Sequence, residues 1–209
     1  MLMLKETFQD YSKMKIRVLA KEELKISQWS GGETRQVFLS PAHGVYEIGK
    51  FDYRLSSATV ELKESIFSEL TDYHRLIMSL DNEIRLKHES PEGIQELTLP
   101  PFQAHAFSGD DQTTSYGQCT DFNLIYKPMY KGSMKALNKA EQETLDTGVT
   151  IIYCLADVAI DLKKNKELIK SYQLEKYSSL ILEDMTDEYQ LEFNSQESFQ
   201  PIVICSKIQ

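Results

Sequence analysis

Two arginines in strand-like segments are the residues of this chain best suited to chemistry. Arg54 lies in Phe51-Asp52-Tyr53-Arg54-Leu55-Ser56-Ser57-Ala58, and Arg75 follows Tyr73-His74. An ion in a half-buried strand is expensive without a partner. A guanidinium offers a planar fork of donors that suits a carboxylate. Ser56 and Asn123 can add neutral hydrogen bonds, and Asp121 can orient an arginine or meet a ligand amine. A structural ion pair, Arg54 with Asp121 or Arg75 with an aspartate, explains the same pattern. Trp29, the only tryptophan, stands beside Gly31-Gly32. Such a ring is commonly a core plug, but the glycines would let backbone approach a ligand closely.

Other chemistries find less support. The four histidines, His43, His74, His88 and His105, form no His-x-His pair and join no downstream glutamate in a ligand-like run. No metal site and no cofactor is expected. Gly-x-Ser-x-Gly is absent, and a dyad of Cys119 with a distant histidine would start from a residue that begins a strand. Gly31-Gly32 lacks the Gly-Lys-Ser/Thr ending and following helix of a phosphate loop. If the chain were an enzyme, His74 or Asp121 would have to be its general acid or base.

The elements that must position these residues read as β throughout. Met14–Leu19, Ile26–Gln28 and Thr34–Leu39 suggest strands around the Gly31-Gly32 turn. Val45 to Leu62 reads as one long strand bent near Gly49, with Phe51, Tyr53 and Leu55 on one face and Asp52, Arg54, Ser56 and Ala58 on the other. Between Arg75 and His88, Leu76, Met78, Leu80, Ile84 and Leu86 share a face. Asp121 and Asn123 oppose Phe122 and Leu124 across the pleat of Gly117–Tyr126. Pro100-Pro101 marks residues 97–102 as an edge or crossing segment. Residues 133–145 read as strand-rich, and Thr150–Leu162 places Ile152, Cys154, Ala156, Val158 and Ile160 on one face. Residues 1–13 suggest an arm or short helix. Many short strands between polar turns argue for a sandwich or barrel. No sequence repeat is visible, although two similar β units remain open. A polar barrel lumen and a wetted sheet face both explain the alternation.

The chain has 209 residues, 41% apolar and 26% charged, with net charge −9. That is enough for a sizeable core. The acidic balance disfavours phosphate backbones, so no nucleic-acid partner is expected. Three widely spaced cysteines, Cys119, Cys154 and Cys205, argue for reduced thiols. The N-terminus becomes charged too early for a signal peptide, and no apolar run reaches the roughly 20 residues of a membrane span. A cytoplasmic protein without a membrane partner is the expectation.

An ordered set of motifs resembles the HutD/Ves family of bicupin proteins. Its parts are Trp29 with Gly31-Gly32 and Thr34, Phe51-x-x-Arg54-x-Ser56-x-Ala58, Phe67-Ser68, Arg75, Phe107-x-Gly109 and Asp121-Phe122-Asn123-Leu124. They span residues 25–127; the remainder fits in length and β character. The resemblance implies an all-β bicupin, two cupin-like antiparallel β-barrels in one compact chain. The expected division is 1–132, carrying the motifs, and 133–209, intertwined with the first. It implies no established enzyme activity. Family members are associated with histidine utilisation, as sensors of an intermediate such as formylglutamate or urocanate. Many members carry Asn and three glycines after the Trp, where this chain has Ser30-Gly31-Gly32-Glu33; Glu33 would bring a negative charge near the site. The reading is a metal-free, non-enzymatic binder of a small anionic metabolite. Arg54 and Arg75 hold carboxylates, Ser56, Asp121 and Asn123 orient the ligand, and Trp29 and Phe67 wall the pocket. The alternatives are a metal-independent isomerase or hydrolase, and a protein-interaction module with a packed lumen. Exposed strands leave room for a homodimer. The second half, with no strand arginine, reads as scaffold.

Overall fold

The computed structural model describes residues 14–186, 188–198 and 201–209. The arm or helix expected over residues 1–13 lies outside them. In chain order the strands are β1 (Lys15–Leu19), β2 (Lys25–Trp29), β3 (Gly32–Ser40), β4 (Tyr53–Val60), β5 (Glu64–Ile66), β6 (His74–Ser79), β7 (Ile84–Ser90), β8 (Gly93–Leu99), β9 (His105–Ser108) and β10 (Gln112–Tyr116). They continue with β11 (Cys119–Tyr126), β12 (Gly132–Leu137), β13 (Gln142–Thr144), β14 (Val149–Cys154), β15 (Val158–Lys164), β16 (Glu167–Leu174), β17 (Ser179–Glu183), β18 (Tyr189–Asn194) and β19 (Val203–Ile208). Among the described residues no helix is long and apolar enough to cross a membrane.

Four sheets form two sandwiches. The first pairs an inner sheet, ordered β2-β3-β4-β11-β6-β9, with an outer sheet, β5-β10-β7-β8. The second pairs β1-β17-β14-β19-β12 with β13-β18-β15-β16. The halves repeat one topology: β4-β11-β6-β9 over β5-β10-β7-β8 becomes β12-β19-β14-β17 over β13-β18-β15-β16. Strand β1 crosses over and pairs antiparallel with β17, closing the edge of the second inner sheet.

Burial follows the alternation. The inner sheets pack against each other through Leu55, Phe122 and Leu124 on one side and Ile151, Tyr153, Ile181 and Ile204 on the other. The opposite face of each inner sheet looks into its own lumen. In the second half that lumen is filled by apolar side chains, including Ile152, Ile160, Leu182, Leu191 and Phe193. In the first, Val60, Ile77, Ile84 and Leu86 fill one part only.

Three expectations about strands need correction. The long strand from Val45 is not formed: residues 45–50 are turn, pinned by Gly44 N–H donating to the Pro41 carbonyl and Lys50 N–H to that of Glu47, and the strand starts at Tyr53. Thr150–Leu162 is two strands, because the chain turns at 155–157 from inner to outer sheet. Its five apolar residues still share a core, since the turn folds the second strand over the same lumen. Leu76 and Met78 face the inter-sheet core while Ile84 and Leu86 face the first lumen, so the single face read over 76–86 is split by another crossing.

Candidate functional site

The lumen face of the first inner sheet carries the polar residues in rows. Register pairs Ile125 with Arg54 on β4 and Arg75 on β6, so the two arginines flank one isoleucine. The next row is Ser56, Asn123 and Ile77; the next is Ala58, Asp121 and Ser79. Cross-strand spacing near 4.8 Å therefore sets the arginine backbones about 10 Å apart, with both side chains aimed the same way.

A cavity of about 340 Å³ opens over these rows. All seven residues expected at the site line it: Trp29, Arg54, Ser56, Phe67, Arg75, Asp121 and Asn123. Arg54 and Arg75 are 8% and 7% exposed, yet no carboxylate among the described residues lies within ion-pair distance of either. Neither arginine therefore makes a direct ion pair with Asp121, although its carboxyl interacts with both across the lumen. Arg54 Nη1 donates to Ser56 Oγ at 2.9 Å, and Nε reaches Gln36 Oε1 at 3.4 Å. Arg75 Nη1 donates to the Ser68 carbonyl at 3.1 Å, while its buried Nε has no partner. A guanidinium carries five N–H donors, so most of the fork on each is unused. Burial pushes both arginines below the usual guanidinium range. Two more buried lining atoms, Ser65 Oγ and Asn123 Oδ1, are unpartnered. Orphaned buried polar atoms are uncommon, and Arg75 Nε, Ser65 Oγ and Asn123 Oδ1 all belong to residues lining this one space.

Asp121 is buried in the same lumen. Burial pushes its carboxyl up to about 7, against the pull of Arg75 and of the 2.6 Å hydrogen bond from Asn123 Nδ2. The raised pKa of Asp121 leaves the positive charge of the two arginines less fully offset than an ordinary aspartate would.

Strand ends and loops build the walls. The Trp29 ring lies on Gly31, where a Cβ would come within 2.1 Å of it, and Gly32 has φ +142° with its backbone against the Thr59 carbonyl. The Gly pair thus sets the indole at the mouth, 40% exposed, as a wall and not a core plug. Gly109 of the Phe107-x-Gly109 motif acts at a distance. Its N–H donates to the Tyr73 carbonyl and its own carbonyl accepts from Leu70, with no room for a Cβ. That clamp holds the segment carrying Phe67 and Ser68. Phe67 and Phe107 then face the Arg75 guanidinium at 4.9 and 5.0 Å.

Tyr46 was missed by sequence reasoning. It lines the cavity from the 41–52 loop, its ring 4.1 Å from the Arg54 guanidinium. The Gly44 and Gly49 turn signals on either side were the available clue. Ser65 and Gln36 were missed as well, being ordinary polar residues in strands. Glu33 is corrected: it does not line the cavity but pairs with Arg35 at 2.8 Å, since it alternates with Thr34, which does line it. His74, named for the enzymatic alternative, is exposed, with its ring against Tyr126. Burial pushes the Cys119 thiol up to about 12, so it lacks the thiolate a dyad requires.

Two histidines do converge. His88 and His105 bring Nε2 atoms within 3.0 Å, and His88 Nδ1 meets Thr113 Oγ1 at 2.8 Å. Burial lowers both imidazoles, keeping them neutral. Among the described residues no three His, Cys, Asp or Glu side chains gather as metal ligands.

A doubled sandwich with one packed lumen and one polar, arginine-lined lumen defines a cupin-fold protein of the two-barrel kind. The HutD family model matches residues 21–200, and the chain belongs to that family. Among solved structures it is similar to PA5104 from Pseudomonas aeruginosa PAO1, titled a protein of unknown function, at 23% identity and TM-score 0.75, covering 93% of this chain and 99% of that one. It is similar to HutD from Pseudomonas fluorescens SBW25 at 20% identity and TM-score 0.66, covering 93% and 98%. The oxalate decarboxylase of Lactobacillus farciminis, titled as a formate complex, shares the fold at 6% identity and TM-score 0.61, covering 91% and 85%. No curated protein sequence matches.

Proposed function

We propose that this HutD-family chain binds a small anionic metabolite in its first lumen and acts, without catalysis, as a sensor in the regulation of histidine utilisation. The carrying observation is the pair of buried arginines whose donors meet no carboxylate among the described residues. A buried charge without a directly paired counter-ion is costly, and a ligand carboxylate supplies one. Formylglutamate and urocanate are the ligands the family suggests, and both carry carboxylates. A cavity of about 340 Å³ suits a molecule of that size.

The test is a thermal-shift series with formylglutamate, urocanate, histidine and glutamate against the native chain and the Arg54→Ala/Arg75→Ala double variant. A ligand that binds only the folded state raises the melting midpoint by mass action. A saturable shift with one compound, absent from a double variant that keeps its β circular dichroism, supports the reading. Equal shifts in both proteins remove the arginines from the site.

One observation favours a second reading. A carboxyl held near 7 is poised for general acid or base work. Turnover of any of these compounds, lost in Asp121→Asn, would make the lumen an active site.

A further inference from the structure

The two halves share a strand order but not an interior, and one position links them. Strands β5 and β13 are each three residues long, and each buries only its middle residue. They pair with the equivalent strands β10 and β18. The middle residue is Ser65 in the first half and Glu143 in the second. The Glu143 side chain is 5% exposed, and its carboxylate meets the ammonium groups of Lys135 on β12 and Lys207 on β19, the latter at 2.7 Å. Lys207 is held in turn by Asp146 at 2.8 Å and the Thr144 carbonyl at 2.6 Å. Strands β12 and β19 are the counterparts of β4 and β11. In the first half β4 brings Arg54, Arg75 stands across β11 from it, and Ser65 turns an unpartnered hydroxyl to the same cavity.

We infer that the second half holds the same kind of anion cage, closed by a carboxylate from its own β13, and that in the first half the carboxylate of a bound ligand takes the place corresponding to the Glu143 side chain. It would sit over Ser65, accept from its hydroxyl, and lie between Arg54 and Arg75. The inference rests on the anion-binding reading above and adds a position and a selectivity. Ser65 becomes a specificity residue for a terminal carboxylate, and the remainder of the ligand points toward the mouth at Trp29. The short side chain at 65 keeps the first cage open; the long acidic one at 143 keeps the second shut.

The experiment gives the full-length chain an internal carboxylate at position 65. Ser65→Glu is compared with Ser65→Gln, which has the same shape without the charge, in thermal melts free of ligand. A carboxylate between two arginines has its folded pKa depressed, so its stabilisation is present above the unfolded pKa and lost as pH falls. Ser65→Glu should melt about 3 °C above Ser65→Gln at neutral pH, and the gap should close on acidification. It should also stop responding to any carboxylate that shifts the native protein. Ser65→Glu melting at or below Ser65→Gln overturns the inference.

A second arm covers a Ser65→Glu chain that does not fold. In an Arg54→Ala background, Glu143→Ala should lower the midpoint and added formate should restore part of it, while formate leaves Arg54→Ala alone unmoved. Indifference of the Glu143→Ala variant to formate contradicts the shared-cage account. The two readings fail separately. Arg54-dependent carboxylate binding with equal melts of the position-65 variants refutes only this inference. A stabilised Ser65→Glu chain whose native form takes up no free carboxylate refutes the metabolite reading, and with it the ligand's place in the cage, while leaving the shared cage of the two halves.

Discussion

The two lumens are built by the same strand order and filled in opposite ways. The second packs Ile152, Ile160, Leu191 and Phe193 against each other and seals its rim with the Lys135–Glu143–Lys207 cluster. The first leaves about 340 Å³ open and lines it with Arg54, Arg75, Asp121 and Asn123, whose partners are few. Packing apolar side chains stabilises a fold, whereas buried polar groups without partners weaken it. A repeated fold thus need not repeat a site. One half, with the shared inter-sheet core, supplies apolar packing that the polar lumen of the other lacks.

The largest effect expected from this contrast is in the packed lumen. Phe193→Ala should cost about 3–5 kcal/mol in urea unfolding, because a fully buried ring leaves a cavity. Carboxylate uptake by the remaining folded protein should be unchanged. A cost under about 1 kcal/mol would mean that the second lumen is not the better-packed one.

Asp121 sharpens the comparison from the other side. Its folded pKa is raised from 3.8 to about 7, so the native state holds a proton that the unfolded chain has lost. Stability should therefore fall as pH rises from near 4 to about 7, with a slope of up to about 1.4 kcal/mol per pH unit from this group. Asp121→Asn should flatten that slope when urea melts are compared across the range. Anion affinity should move the same way. A protonated Asp121 leaves both arginine charges uncompensated, so binding tightens as pH falls through about 7 in the native chain and does not in the Asn variant. A native affinity that rises with pH instead would contradict the assignment.

The smallest effect is at Tyr46. Its ring covers one face of Arg54, a contact worth about 1 kcal/mol. Tyr46→Ala should weaken carboxylate binding several-fold, with little change in melting midpoint, and titration calorimetry resolves a change of that size.

Much of this was legible because strand alternation carries side chains to known faces. Ser56 and Asn123 are direct register partners, and Arg54 and Arg75 share Ile125, so residues read as polar faces of separate segments meet in one grid. The shared core of Ile152 to Ile160 follows from the same period, and the strands over 133–145 from the lack of a helical stripe there. Crossings between facing sheets were not legible. A turn can keep the period in phase, as at 155–157, or exchange one core for another, as between Met78 and Ile84. The internal repeat is invisible in sequence for the reason that matters most: one lumen is polar and the other apolar, so equivalent positions such as Ser65 and Glu143 hold different residue types. Tyr46 escaped because a loop residue has no period to place it.

The central claim is that Arg54 and Arg75 hold a ligand carboxylate in the first lumen. Equilibrium titration of the native chain and of folded Arg54→Ala/Arg75→Ala, with the compound giving the largest thermal shift, tests it most directly. The account predicts one site per chain in the native protein and no measurable heat in the double variant. Saturable binding of equal strength in both would contradict it.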